Sequence, residues 1–134
     1  MNKLEISITS EIGSIVKVEN FIDYFIDLYQ IEQSVFGKIS LCVIEAVNNA
    51  ILYGNKLDAS KCVSLSVYEA DRKLYVTVED EGEGFDYSII PDPTVPMNVD
   101  KIAGRGLFLM KTLSDELIFE NNGSKVILVF KLNI

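Results

Sequence analysis

Leu4, Ile6 and Ile8 alternate with Glu5, Ser7 and Thr9, a period of two that predicts a strand. From Glu11 to Gln30 the period changes. Ile15, Val18, Ile22, Phe25 and Tyr29 recur every three or four residues, the stripe of an amphipathic helix, with Ser10 as its expected N-cap and Glu11 as a first-turn acid. A second helix is predicted from about Ser34 to Tyr53, with Gly54-Asn55 as its stop. Cys62 to Tyr68 and Leu74 to Val78 read as strands, with Val63, Leu65, Val67, Leu74, Val76 and Val78 inward and Ala70-Asp71 as the hairpin turn.

Residues 81 to 103 contain Pro91, Pro93 and Pro96 and form a long loop, of a length usually functional or mobile. A third helix is expected from about Gly106 to Asp115, carrying Leu107, Met110, Leu113 and Leu117 on one stripe. Leu117 to Glu120 and Lys125 to Leu132 read as strands around the turn Asn121-Asn122-Gly123. The order is strand, helix, helix, two strands, loop, helix, two strands. Strands with polar outer positions need helices on one face only. The fold class is therefore α+β: a two-layer α/β sandwich with a mixed, mostly antiparallel sheet and its helices on one face.

Composition narrows the function. The chain has 134 residues with 12 basic and 20 acidic side chains, a net charge of −8, enough for one domain spanning 1–134. An acidic surface argues against nucleic acid and against anionic membranes. No residue is histidine, which removes Ser-His and Cys-His catalysis and a phosphohistidine acceptor within the chain. Cys42 and Cys62 are expected as small buried apolar groups. Met1 to Thr9 alternates instead of running apolar, and apolar stretches elsewhere carry polar breaks, so the expected location is the cytoplasm.

The second helix breaks a local rule. Val43, Ala46, Val47 and Ala50 share its core face, while Glu45 and Asn49 sit about 40° apart, away from that face. Leu41 and Leu52 lie beside them. Asn48 and Asn49 each cost roughly half a kcal/mol relative to alanine in a helix interior, and such departures concentrate at functional sites. A polar stripe touching water is the plain alternative. Functionally, Asn49 offers an amide oxygen to a hard cation such as magnesium, and Glu45 a carboxylate to deprotonate a hydroxyl or water.

Two glycine motifs follow. In Asp80-Glu81-Gly82-Glu83-Gly84-Phe85 the carboxylate of Asp80 could accept from an adenine amine, and Gly82 and Gly84 allow close backbone approach; a plain acidic turn is the alternative. Gly104-Arg105-Gly106-Leu107 opens the third helix, where free N–H groups and the helix dipole favour an anion. The alternative there is a hinge and helix start. Neither a Walker A loop nor a Rossmann fingerprint occurs.

In order, Glu45-Ala-Val-Asn-Asn49, Asp80-Glu-Gly-Glu-Gly84 and Gly104-Arg-Gly106 resemble the N, G1 and G2 boxes of the ATPase superfamily shared by gyrase, the Hsp90 chaperone, histidine kinases and MutL, in particular its anti-sigma-factor serine-protein kinase branch. The resemblance implies a Bergerat-type ATP-binding fold with residues 86 to 103 as its lid. It implies Mg2+ on Asn49, Glu45 as general base, and Asp80 on the adenine. Asn48, Gly82, Gly84, Phe85, Gly104, Gly106, Leu107 and Ser124 would complete the ATP site, Ser124 standing where relatives carry a threonine behind the base. Two positions depart from the pattern: Tyr53-Gly54 replaces His-Gly, and Ile102-Ala103 stands where some relatives carry an arginine, leaving Arg105 as the phosphate-stabilising substitute. The partners implied are an anti-sigma-factor antagonist, phosphorylated on serine or threonine, a sigma factor, and a second copy of the chain. The alternative function is a non-catalytic ATP-binding module that sequesters a sigma factor or other partner.

Overall fold

The alternation read from the sequence becomes rows of side chains running across five strands. The computed structural model describes residues 3–84 and 102–132, with side chains in the second stretch from Gly106 onward. The strands β1 (Leu4–Thr9), β2 (Cys62–Ala70), β3 (Lys73–Glu79), β4 (Glu116–Glu120) and β5 (Lys125–Lys131) form one sheet in the order β1-β2-β3-β5-β4. Every pairing is antiparallel. One row reads Ile6, Leu65, Val78, Val126, Phe119; the next reads Leu4, Val67, Val76, Leu128, Leu117. Because the side-chain period is two, a one-residue slip would turn a whole strand's apolar set to solvent, so these rows fix the register.

The helices α1 (Ile15–Leu28), α2 (Gln33–Asn49) and α3 (Ile102–Leu113) complete the two-layer α+β sandwich. Val18, Ile22 and Phe25 of α1, Ile39, Val43 and Val47 of α2, and Leu107 and Met110 of α3 join the inward strand residues in one core. Gln33–Gly54 has the length and hydropathy of a membrane span, contrary to the expectation from polar breaks. Its buried Ile39, Cys42, Val43, Ala46 and Val47 belong to the common core.

The outer face of the sheet is not bare of apolar groups. Tyr68 and Tyr75 face each other across β2 and β3 and stack with ring centroids 4.8 Å apart.

Several expectations change. Ser10 does not cap α1. A short 3-10 turn (Ile12–Ser14) intervenes, and Ser10 is buried with its hydroxyl on the carbonyl of Lys61 at 2.8 Å. The β2–β3 turn is Asp71-Arg72, both at positive φ (52° and 62°), one residue later than expected, because both strands extend past their apolar runs. Cys62 is exposed while Cys42 is buried; both are free thiols. Burial, with Glu45 adding its charge, pushes the Cys42 thiol up to about 12. The third helix starts at Ile102, not Gly106. Its free N–H groups therefore belong to residues 102–105, and Gly106 lies inside the helix. Propensity gave way there to packing against α2. Residues 85–101, including Phe85 and most of the expected lid, lie outside the described residues.

Candidate functional site

Helix α2 does not stop at Asn49. Its last turn widens into a π-helical turn, Ala50–Gly54, a feature frequent at functional sites. This turn carries Gly54 up to the end of β3. There the fit is close: a Cβ on Gly54 would lie 2.3 Å from Asp80 Oδ2, and one on Gly82 would lie 2.0 Å from the Gly54 carbonyl oxygen. Only glycine allows both approaches. Gly84 is held at φ +91°, the left-handed region, against the Asn122 carbonyl.

Asp80 is nearly buried. Its backbone N–H donates to the Ser124 carbonyl at 2.9 Å, and its Oδ1 accepts from the Gly82 N–H at 2.8 Å. Desolvation raises its pKa, partly opposed by that Gly82 bond; Glu79 raises it further and Lys61 pulls it back. A largely buried carboxylate at the end of β3 with an oxygen to spare suits an acceptor for an N–H donor.

On the other side, α3 runs against α2. A Cβ on Gly106 would lie 2.8 Å from Glu45 Oε2, 3.5 Å from Asn49 Nδ2 and 3.7 Å from Asn49 Oδ1. Gly106 therefore brings the start of α3 onto the two polar side chains that broke the pattern of α2.

Between these two ends lies one pocket. Asn49, Ala50, Asp80, Leu107, Met110 and Ser124 line it, together with Ala46, Val78, Phe119, Gly123 and Val126. Its volume is about 10 Å³, room for one water, so a planar base enters only if the walls part. Leu107 and Met110 stand on α3, the element adjoining the expected lid. Of the residues expected here, Asn49, Asp80, Leu107 and Ser124 meet in this pocket, and Glu45 and Gly106 meet beside Asn49. Gly82 and Gly84 shape the loop after Asp80. Asn48 is half-buried on α2 but does not line the pocket. Gly104 and Arg105 fall in the first turn of α3; their side-chain surroundings are outside the described residues, as is Phe85.

A family profile described as a histidine kinase-like ATPase domain matches residues 8–130. The chain belongs to this family. An anti-sigma F factor of Clostridium perfringens is 32% identical over 102 residues, covering 71% of each chain. An anti-sigma F factor of Geobacillus stearothermophilus is 35% identical over 92 residues, covering 66% of this chain and 62% of that protein. The serine-protein kinase RsbW of Bacillus subtilis is 32% identical over 99 residues, covering 69% and 62%. A solved structure of the RsbU and RsbW domains of a Mycobacterium tuberculosis protein superimposes with a TM-score of 0.67 over 98% of this chain, at 16% identity; the match takes up 33% of that chain. The two-layer fold is thus shared, and the chain lies in the anti-sigma-factor and serine-protein kinase branch of its family. At family level this implies ATP binding and kinase activity.

The candidate residues were singled out by the order of their motifs, but the residues packed against them were not. Gly54 signalled only a helix stop, yet it forms the wall behind Asp80. Asn55 signalled the same stop and is 1% exposed, with its side chain fully engaged. Ala46 and Ala50 read as ordinary core positions, but their small side chains leave the pocket its width. Only a spacing argument from Asn49 along the helix could have flagged Ala46 and Ala50, and nothing local flags Asn55.

Proposed function

We propose that this chain is an ATP-dependent serine/threonine-protein kinase and anti-sigma factor, acting as one domain on an anti-sigma-factor antagonist. The observation that supports it most is that one pocket is lined by both Asp80 and Asn49, with Glu45 and Gly106 beside Asn49. A nucleotide needs that polarity: a carboxylate for the base amine at one end and oxygen ligands with helix N–H groups for the phosphates at the other. Ser124, whose carbonyl accepts from the Asp80 N–H, would stand behind the base.

The donor set fits Mg2+. Asn49 would present a neutral amide oxygen, and a cation that keeps several waters and phosphate oxygens needs little more from the protein. The space in front of Asn49 is also one that a Cβ at residue 106 would fill. When bound, the ion would neutralise charge on the phosphates. Glu45 would accept the proton of the serine or threonine hydroxyl as its oxygen bonds to the γ-phosphorus and the bond to ADP breaks. Phosphoryl transfer of this kind rests on positioning and charge, supplied here by α2, α3 and Arg105. Residues 86–103 would close over the nucleotide. A sigma factor would compete with the antagonist, a second copy of the chain would complete the assembly, and the cytoplasm would be its place.

Incubation with γ-labelled ATP and candidate antagonists from neighbouring genes tests the reading. Label on a serine or threonine of one antagonist supports it. Tight ATP binding without transfer to any of them supports instead a module that sequesters its partner without turnover.

A further inference from the structure

The β2–β3 ladder ends in an unusual way. The register pairs Ser64 with Glu79, so the next facing pair down the ladder after Val63 and Asp80 is Cys62 with Glu81. In a continued ladder these two would exchange backbone hydrogen bonds. They do not. The Glu81 N–H donates instead to Asn55 Oδ1 at 2.8 Å, and the Cys62 carbonyl accepts instead from Asn55 Nδ2 at 3.0 Å. The Cys62 N–H is taken by the Glu81 carboxylate at 2.5 Å. The same Nδ2 donates to Ser10 Oγ at 2.8 Å. A side-chain amide carries an acceptor and a donor side by side, as a peptide does. Asn55 therefore substitutes for one rung and holds the two strands apart where the sheet stops.

We propose that Asn55 is a positioning residue for the base end of the nucleotide site. The proposal rests on the reading of Asp80 as the adenine acceptor. Two backbone N–H groups fix the turn of Asp80: its own, on Ser124, and that of Glu81, on Asn55. With the Glu81 N–H drawn to the end of α2 instead of to Cys62, the chain leaves β2, and the Asp80 carboxylate is set against Gly54 on the helix that also carries Asn49. One buried amide thus fixes the distance between the base end and the phosphate end of the site. A group that only held the fold together would affect every nucleotide equally.

The experiment compares calorimetric affinities for ATP and for purine riboside triphosphate, which lacks the exocyclic amine, in the wild type, Asn55→Asp, Ser10→Ala and Asp80→Asn. Asn55→Asp keeps the acceptor for Glu81 and loses the donor to Cys62 and Ser10. It should lower the ATP-over-analogue preference about tenfold, the scale of one lost hydrogen bond to a charged group. Ser10→Ala, a milder change expected to fold, should lower it in the same direction by a smaller factor. Lowering the pH toward 5 should restore part of the preference in Asn55→Asp relative to the wild type, since a protonated carboxyl regains a donor. A preference unchanged in Ser10→Ala, and in Asn55→Asp where it folds, overturns the proposal. A wild type without preference, or one that Asp80→Asn leaves intact, instead removes the reading of Asp80 on which the proposal rests.

Discussion

Gly54 faces the Asp80 carboxylate so closely that a single added carbon would lie 2.3 Å from Oδ2. The neighbour is not a free side-chain tip, because Asp80 is held by Gly82 and by the backbone of Ser124. Gly54→Ala should therefore displace Asp80, costing about 1–3 kcal/mol as an overpacked site. Adenine-nucleotide affinity should fall at least ~10-fold. Calorimetry on the folded variant, checked by its thermal transition, decides it: undiminished affinity would show that Asp80 does not hold the base.

Asp80 itself should show stability and function in opposition. Burial raises its pKa above the ordinary carboxylate value. The folded state thus binds the proton more tightly than the unfolded chain does. This contribution to stability is present at pH below the unfolded value and is lost as pH rises through the raised folded value. At neutral pH the ionised group is a net cost to the empty protein. Asp80→Asn, which keeps an acceptor for the Gly82 N–H, should raise the melting temperature by ~2–4 °C. It should lose the preference for adenine over guanine nucleotides. A melting temperature that falls at pH 7 would contradict the assigned cost of burial.

How much of this was written in local sequence depends on what each residue touches. Strand alternation gave all five strands, because one buried face forces a period of two from Leu4 through Lys131. The order of three short motifs singled out Glu45, Asn49 and Asp80 as candidates before any geometry. Helix ends were less legible. Ser10 looked like a cap because a serine before a helical stripe usually is one; its real partners, Lys61 and Asn55, are 51 and 45 residues away. The start of α3 was misplaced because two glycines suggested a boundary, whereas contact with α2 carries the helix through them. Asn55 was illegible for the same reason as Ser10: its hydrogen bonds reach Ser10, Cys62 and Glu81, and no local pattern records a bond between distant elements.

Gly106 provides a test in which local and tertiary effects point in opposite directions. Glycine inside a helix costs up to about 1 kcal/mol relative to alanine. On propensity alone Gly106→Ala should stabilise the protein. The added Cβ would meet Glu45 Oε2 at 2.8 Å, the end of a side chain that can swing aside. The fold should survive with its melting temperature unchanged or higher, while phosphoryl transfer falls ~10-fold or more as Glu45 leaves its place. Transfer at the wild-type rate in a stable variant would show that the Glu45 position is not used.

Glu45 and Asn49 lie one turn apart on α2 and should fail differently. If Asn49 supplies the oxygen ligand to magnesium, Asn49→Ala should abolish the magnesium dependence of ATP binding, with affinity reduced ~10-fold or more. If Glu45 takes the hydroxyl proton, Glu45→Ala should bind Mg-ATP about as well as the wild type and lose transfer by ~100-fold or more. The comparison separates a ligand from a base because binding reads the ground state and transfer reads the transition state. Full transfer by Glu45→Ala would end its assignment as the base. Parallel loss of binding in both variants would mean that the two residues act together on the cation.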